Sequence, residues 1–96
     1  MHQPAVTIGM PVWNGAKFLE QSIESIINQD FSDFELIISD NGSTDGTDAI
    51  CRRYAGCDAR IRYYRSDVNL GAAWNYNRLV HLARGRYFRW AAHDDL

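Results

Sequence analysis

The sequence has little excess charge, few cysteines and no long apolar run, and each shortage excludes something. Its formal net charge is −2, with a pI near 5.8. A general nucleic-acid binder carries a strong basic excess, so that class is not expected. No run of about 18 apolar residues occurs, which leaves no candidate for a membrane-spanning helix. The opening "MHQPAVTIGM" has no charged start followed by a long apolar stretch. No signal peptide is therefore expected, and the cytoplasm is the default compartment. There are two cysteines, Cys51 and Cys57, with no C-x-x-C and no His pair nearby. That spacing argues against zinc and predicts two half-buried thiols on one helix. No repeat, low-complexity tract or linker interrupts the chain.

Two nucleotide signatures are also missing. The loop after the first apolar run is "PVWNG", without the G-x-G-x-x-G that lets a backbone approach a dinucleotide pyrophosphate. No G-x-x-x-x-G-K-[ST] occurs either. A calcium loop starting at Asn41 fails because its twelfth position is Arg52, where Glu is required. "NGS" is a glycosylation sequon that means little in a cytoplasmic chain.

What is there alternates. Ninety-six residues make one domain, residues 1–96, and 46% hydrophobic content is enough for a core. "AVTIGM" (Ala5 to Met10) reads as a strand. Ala16 to Asn28 carries Leu19, Ile23, Ile26 and Ile27 at helical spacing. "FELIIS" (Phe34 to Ser39) is a second strand. Thr47 to Ala55 puts Ile50 and Tyr54 on one helical face. "RIRYYR" (Arg60 to Arg65) is a third strand, nearer an edge. Ala72 to Ala83 places Tyr76, Leu79, Val80 and Ala83 on one side of a helix. "RYFRWAA" (Arg86 to Ala92) reads as a buried fourth strand. The order βαβαβαβ implies an α/β, Rossmann-like, mainly parallel sheet with helices on both faces.

In such a sheet, ligands sit beyond the carboxyl ends of the strands. The loops "PVWNG", "DNGSTDGT", "SDVNLG" and "HDDL" all fall on that edge. Trp13 offers a flat ring for stacking on a base, or is simply a packed loop aromatic. Asp40 can accept N–H bonds at its strand end, and Asn41 can donate and accept. Ser43, Thr44 and Asp45 suit the N-cap of the next helix. Asp94 and Asp95 are adjacent carboxylates, whose repulsion a shared hard cation relieves. Mn²⁺ or Mg²⁺ fits such a pair. The plain alternative is a solvated turn.

Taken together, "VTIGMPVWNGAKFLEQSIESIINQDFSDFELIISDNGSTDGT" and "NLGAAWNYNRLVHLARGRYFRWAAHDDL" resemble the N-terminal part of family-2 glycosyltransferases of the GT-A fold. The resemblance covers essentially the whole chain. It implies the donor-nucleotide half of an enzyme that transfers a sugar, with inversion, from a nucleotide-diphosphate sugar to an acceptor hydroxyl, as in cell-wall or polysaccharide biosynthesis. It implies that Pro11, Val12, Trp13 and Asn14 line the nucleotide pocket, with Trp13 near the base. Asp40 and Asn41 would read the base edge or ribose, and Asn69 and Gly71 would border the nucleotide. Asp95 would hold the metal, with Asp94 as second ligand or facing ribose or sugar.

Two positions depart from the family pattern. Asn41 stands where many relatives have a second acid, and Ala92 stands two residues before Asp94, where many have another. The resemblance also implies that the acceptor half and the general base lie beyond Leu96, so that the chain binds donor without completing transfer. The implied donor is UDP-, dTDP- or GDP-linked. The full-length protein is expected in the cytoplasm or peripheral at the inner membrane face. A sheet cut after its fourth strand leaves an edge open to self-association. The rival readings are a degenerate fragment acting as an interaction module and a sugar nucleotidyltransferase; "PVWNG" lacks the Gly-rich basic loop of the latter.

Overall fold

A computed structural model describes residues 3–92. The chain runs β1 (Val6–Val12), α1 (Ala16–Ile27), β2 (Phe34–Asp40), α2 (Thr47–Cys57), β3 (Ile61–Arg65), α3 (Ala72–Leu82) and β4 (Tyr87–Trp90). The strands form one sheet in the order β3-β2-β1-β4, and every pairing is parallel. The expected element order and parallel sheet are therefore what the chain adopts, with no boundary shifted by more than two residues.

The pleat decides which residues go to which face, because successive side chains on a strand alternate. On one face Ile8, Met10 and Val12 of β1 join Phe34, Leu36 and Ile38 of β2. Leu19, Ile23 and Ile26 of α1 and Cys51 of α2 close over them. The other face carries Thr7, Glu35, Ile37 and Ser39, all buried, under α3. The strand order explains this division. The path steps one way from β1 to β3, then returns past β1 to β4, so a crossover of the same hand must lie on the opposite face.

The polar face reorients α3. Only part of the expected apolar stripe faces the sheet: Leu79 is buried there beside Asn75, while Tyr76 and Val80 are exposed. Asn75 Nδ2 donates to the Ser39 carbonyl at 2.9 Å, and the Ser39 hydroxyl donates to Asn75 Oδ1 at 2.5 Å. Arg78 Nε donates to Ser39 Oγ at 2.7 Å. Leaving such buried groups unpaired costs about 1–3 kcal/mol each, enough to turn polar residues inward.

Two other expectations are corrected. β4 is an edge strand rather than a buried one, with Tyr87, Arg89 and Trp90 exposed. It has β1 on one side and, among the described residues, no strand on the other. The cysteines are not both half-buried: Cys51 is buried and Cys57 exposed. Their spacing sets them about 120° apart around the helix, so one faces the sheet and the other solvent. Burial, reinforced by Asp40, Asp48 and Asp45, pushes the Cys51 thiol up to about 12.

Candidate functional site

A cleft of about 220 Å³ opens at the carboxyl edge of the sheet, lined by Pro11, Val12, Trp13, Asn41, Asn69, Ala72, Asn75 and Tyr76. Its walls come from the ends of β1 and β2, the loop before α3 and the first turns of α3. It lies at the end of β1, the strand about which the strand order reverses. Open α/β sheets bind ligands at such a switch point.

The walls are held by contacts between loops. Asn41 N donates to the Val12 carbonyl at 2.9 Å and so ties the two strand ends together. Gly42 has φ +77, and a Cβ there would lie 2.5 Å from the Val68 carbonyl carbon. Only glycine lets the second loop approach the third this closely. Asn14 is itself left-handed, at φ 51. Its N–H donates to Ser43 Oγ at 2.8 Å, and its Oδ1 accepts from Thr44 N at 2.8 Å.

The capping chemistry is partly nonlocal. The residue before α2 is Gly46, which supplies no side-chain cap. Asp45 Oδ1 accepts from Thr47 N at 3.0 Å, while its Oδ2 accepts from Ala16 N, the first residue of α1, at 3.2 Å. Partial burial pushes the Asp45 carboxyl up, but hydrogen bonds from Thr47 and Ala16 outweigh it and hold it below the usual range. One carboxylate thus serves the starts of two helices.

Asp40 and Asn41 separate. Asp40 is fully buried. Its Oδ1 accepts from Ser43 N at 3.0 Å and its Oδ2 from the Tyr63 hydroxyl at 2.6 Å. The same hydroxyl lies 2.8 Å from Asp48 Oδ1. Burial, then hydrogen bonding to Asp40 and Asp48, raises the Tyr63 phenol far above its ordinary value. Asn41 instead reaches the third loop: its Oδ1 accepts from Leu70 N at 2.8 Å, and its Nδ2 donates to Asn69 Oδ1 at 2.9 Å and the Gly71 carbonyl at 3.1 Å.

Of the residues singled out in the sequence, Pro11, Val12, Trp13, Asn41 and Asn69 meet at the cleft. Trp13 is 52% exposed, so its ring is not packed away. Gly71 braces Asn41, while Asn14 and Asp40 are spent on loop and core contacts. Ala72, Asn75 and Tyr76 were not foreseen as lining residues. Their spacing puts all three on one helical face just after Gly71, which is the signal that finds them. The Tyr76 ring lies 4.8 Å from that of Trp90, which extends the wall toward β4. Asp94 and Asp95 lie outside the described residues. Among the described residues no cluster of three His, Cys, Asp or Glu side chains is suited to a metal, and no helix is long and apolar enough to cross a membrane.

The chain matches the family described as Glycosyl transferase family 2 over residues 7–96. An uncharacterized glycosyltransferase of Rickettsia typhi is 35% identical over 95 residues, covering 99% of this chain and 29% of that protein. The putative teichuronic acid biosynthesis glycosyltransferase TuaG of Bacillus subtilis is 34% identical over 93 residues, covering 97% and 37% respectively. Among solved structures, the mannosyltransferase PcManGT of Pyrobaculum calidifontis, in complex with GDP-Man and Mn²⁺, superposes with a TM-score of 0.86 at 26% identity. That match covers 98% of this chain and 28% of the other. The chain thus spans about a third of the length of these relatives.

Proposed function

The chain belongs to glycosyl transferase family 2, and on that premise we propose that it is the donor-binding part of a glycosyltransferase. It holds a nucleotide-diphosphate sugar together with a divalent metal. The reaction of the whole protein transfers the sugar, with inversion, to an acceptor hydroxyl. The carrying observation is the cleft at the strand-order reversal, where an exposed Trp13 stands beside the Asn41–Asn69 amide pair.

The residues divide the work. Trp13 stacks on the base, and Pro11 and Val12 form the wall beneath it. Asn41 and Asn69 border the base edge. Asp40, Asn14 and Gly71 hold the loops that carry these groups. Asp95 and Asp94 are assigned to the metal. Their fit rests on β4, which runs parallel beside β1, with Ala91 N donating to the Gly9 carbonyl at 2.9 Å. The chain therefore heads toward the cleft edge just before the acidic pair. Adjacent carboxylates suit a hard cation such as Mn²⁺ or Mg²⁺, which when bound offsets charge on the departing diphosphate. The general base and the acceptor site are assigned to the rest of such a protein. The GDP-Man and Mn²⁺ complex of PcManGT supports the donor class and the metal, and the teichuronic acid biosynthesis named for TuaG supports a role in polysaccharide synthesis.

Calorimetric titration of UDP and GDP, with and without Mn²⁺, tests this reading. Metal-dependent binding by the wild type and its loss in Asp95→Ala are expected. Absence of binding to both nucleotides in Mn²⁺ would overturn it.

A further inference from the structure

We infer that Asn69 presents the hydrogen-bond donor that selects the base, while Asn41 is a positioning residue that latches the loop carrying Asn69. The inference rests on the donor-nucleotide reading above and assigns its base specificity to one amide.

An asparagine side chain has two N–H donors and two oxygen lone pairs. Those of Asn41 are committed inside the protein. Its Oδ1 accepts from Leu70 N at 2.8 Å, with the Ser66 hydroxyl at 3.5 Å. Its Nδ2 donates to Asn69 Oδ1 and to the Gly71 carbonyl. The orientation is forced, because a backbone N–H such as that of Leu70 only donates and must face the oxygen. Asn41 is also buried, which fits a latch better than a reader.

Asn69 is the complement. Its Oδ1 accepts from Asn41 Nδ2 at 2.9 Å and from Gly71 N at 2.8 Å, which uses both lone pairs and fixes its orientation in the same way. Its Nδ2 makes no hydrogen bond among the described residues, and the residue is exposed on the cleft wall. Asn69 therefore offers a ligand donors and no acceptor. Among the described residues no carboxylate lines the cleft beside it, because Asp40 is turned to the opposite face.

A base whose edge carries a carbonyl matches this donor, and an amino group in the same place sets donor against donor. Uracil is matched over cytosine, and guanine over adenine. Within each pair the ring size is constant and only the oxo or amino edge changes. One unmatched hydrogen bond of this kind corresponds to roughly a tenfold loss of affinity.

The test measures the affinity of UDP, CDP, GDP and ADP in Mn²⁺ for the wild type, Asn69→Asp, Asn69→Ala and Asn41→Ala. The wild type is expected to prefer UDP over CDP and GDP over ADP, each roughly tenfold. Asn69→Asp keeps an oxygen for Gly71 N and Asn41 Nδ2 but replaces the free donor with an acceptor. Its charge weakens all four ligands, so the readout is the ratio within each pair, which is expected to fall to unity or invert. Asn69→Ala is expected to bring both ratios to about unity, while Asn41→Ala weakens all four by a similar factor. Wild-type ratios retained in both Asn69 variants would overturn the inference, and so would ratios that collapse in Asn41→Ala while CDP and ADP binding is preserved. Failure of all four to bind the wild type would instead overturn the donor-nucleotide reading itself.

Discussion

Asp40 and Asn41 are neighbours in sequence and work on opposite faces of the sheet. The Asp40 carboxylate is sealed against Tyr63 and the Ser43 N–H, under α2. The Asn41 amide reaches across the cleft wall to Leu70, Asn69 and Gly71. Two polar residues that look alike as candidates therefore do different things. One holds up the core side of the loop, and the other sets the shape of the cleft.

Removing the buried acceptor should cost stability without touching base preference. Asp40→Ala leaves the Ser43 N–H without its acceptor and takes one of two from the Tyr63 hydroxyl, which keeps Asp48, an expected loss of about 1–3 kcal/mol. Tyr63→Phe should cost about 1 kcal/mol, since Asp40 keeps its bond from Ser43. Urea midpoints report both values. An Asp40→Ala protein as stable as the wild type would contradict the assignment.

Gly42 and Gly46 should respond differently to alanine. At Gly42 the left-handed backbone alone disfavours a side chain by about 1–2 kcal/mol. The approach of the Val68 backbone to 2.5 Å adds to that. Gly46 has an ordinary φ of −76 and its closest neighbour is 3.8 Å away. Gly42→Ala is expected to lower the melting temperature markedly and to weaken nucleotide binding through the displaced third loop. Gly46→Ala should stay within about 0.5 kcal/mol of wild type. Equal effects at the two sites would rule out the close approach as the cause.

Glu35 should make the fold sensitive to acid. Burial pushes its carboxyl up, but hydrogen bonds from Thr7, from the Arg84 backbone and from the Arg62 and Arg84 side chains outweigh burial and hold it below the usual range. A carboxyl depressed in the folded state stabilises the protein fully above its unfolded value, about pH 4.3. That contribution disappears as pH falls through the lower folded value. Glu35→Gln should therefore be less stable at pH 7, by up to about 3 kcal/mol. The difference from wild type should shrink below about pH 4. Thermal melts of both proteins across that range provide the measurement, and a gap that does not change with pH would refute it.

Self-association is expected through β4. The two edges of the sheet differ in character. β3 carries Arg62 and Arg65, both engaged in ion pairs, whereas β4 exposes the aromatic pair Tyr87 and Trp90 alongside Arg89. Charged edges discourage strand addition and aromatic ones do not. The weight-average mass from light scattering should rise with concentration for the wild type, and much less for a Tyr87→Lys, Trp90→Lys variant. A wild-type mass that stays monomeric at millimolar concentration would count against it.

Much of the architecture was legible in the sequence because its signals are local. Helical spacing of Leu19, Ile23 and Ile26, and short β-branched runs between polar loops, specify element type over a few residues. Alternation of strand and helix then implies parallel pairing, and with it the edge on which Trp13, Asn41 and Asn69 appear. The face of α3 was misread for a physical reason. Hydrophobic spacing points Tyr76 and Val80 inward only if the sheet beneath is apolar, and that sheet face carries Ser39, Glu35 and Thr7. β4 was misread because an apolar strand at a sheet edge has the same composition as a central one.

The sequence by itself determined the kinds of elements, their order and the loops that carry polar chemistry. Each depends on contacts within about one turn or one hairpin-length of chain. Tertiary structure alone decided that β4 returns beside β1, which creates the switch point and its cleft. It also decided the phase of the β2 pleat against the helices, and so which of Asp40 and Asn41 faces the core. A strand's alternation is visible in its sequence, but which face is buried, and under what, depends on partners far away along the chain.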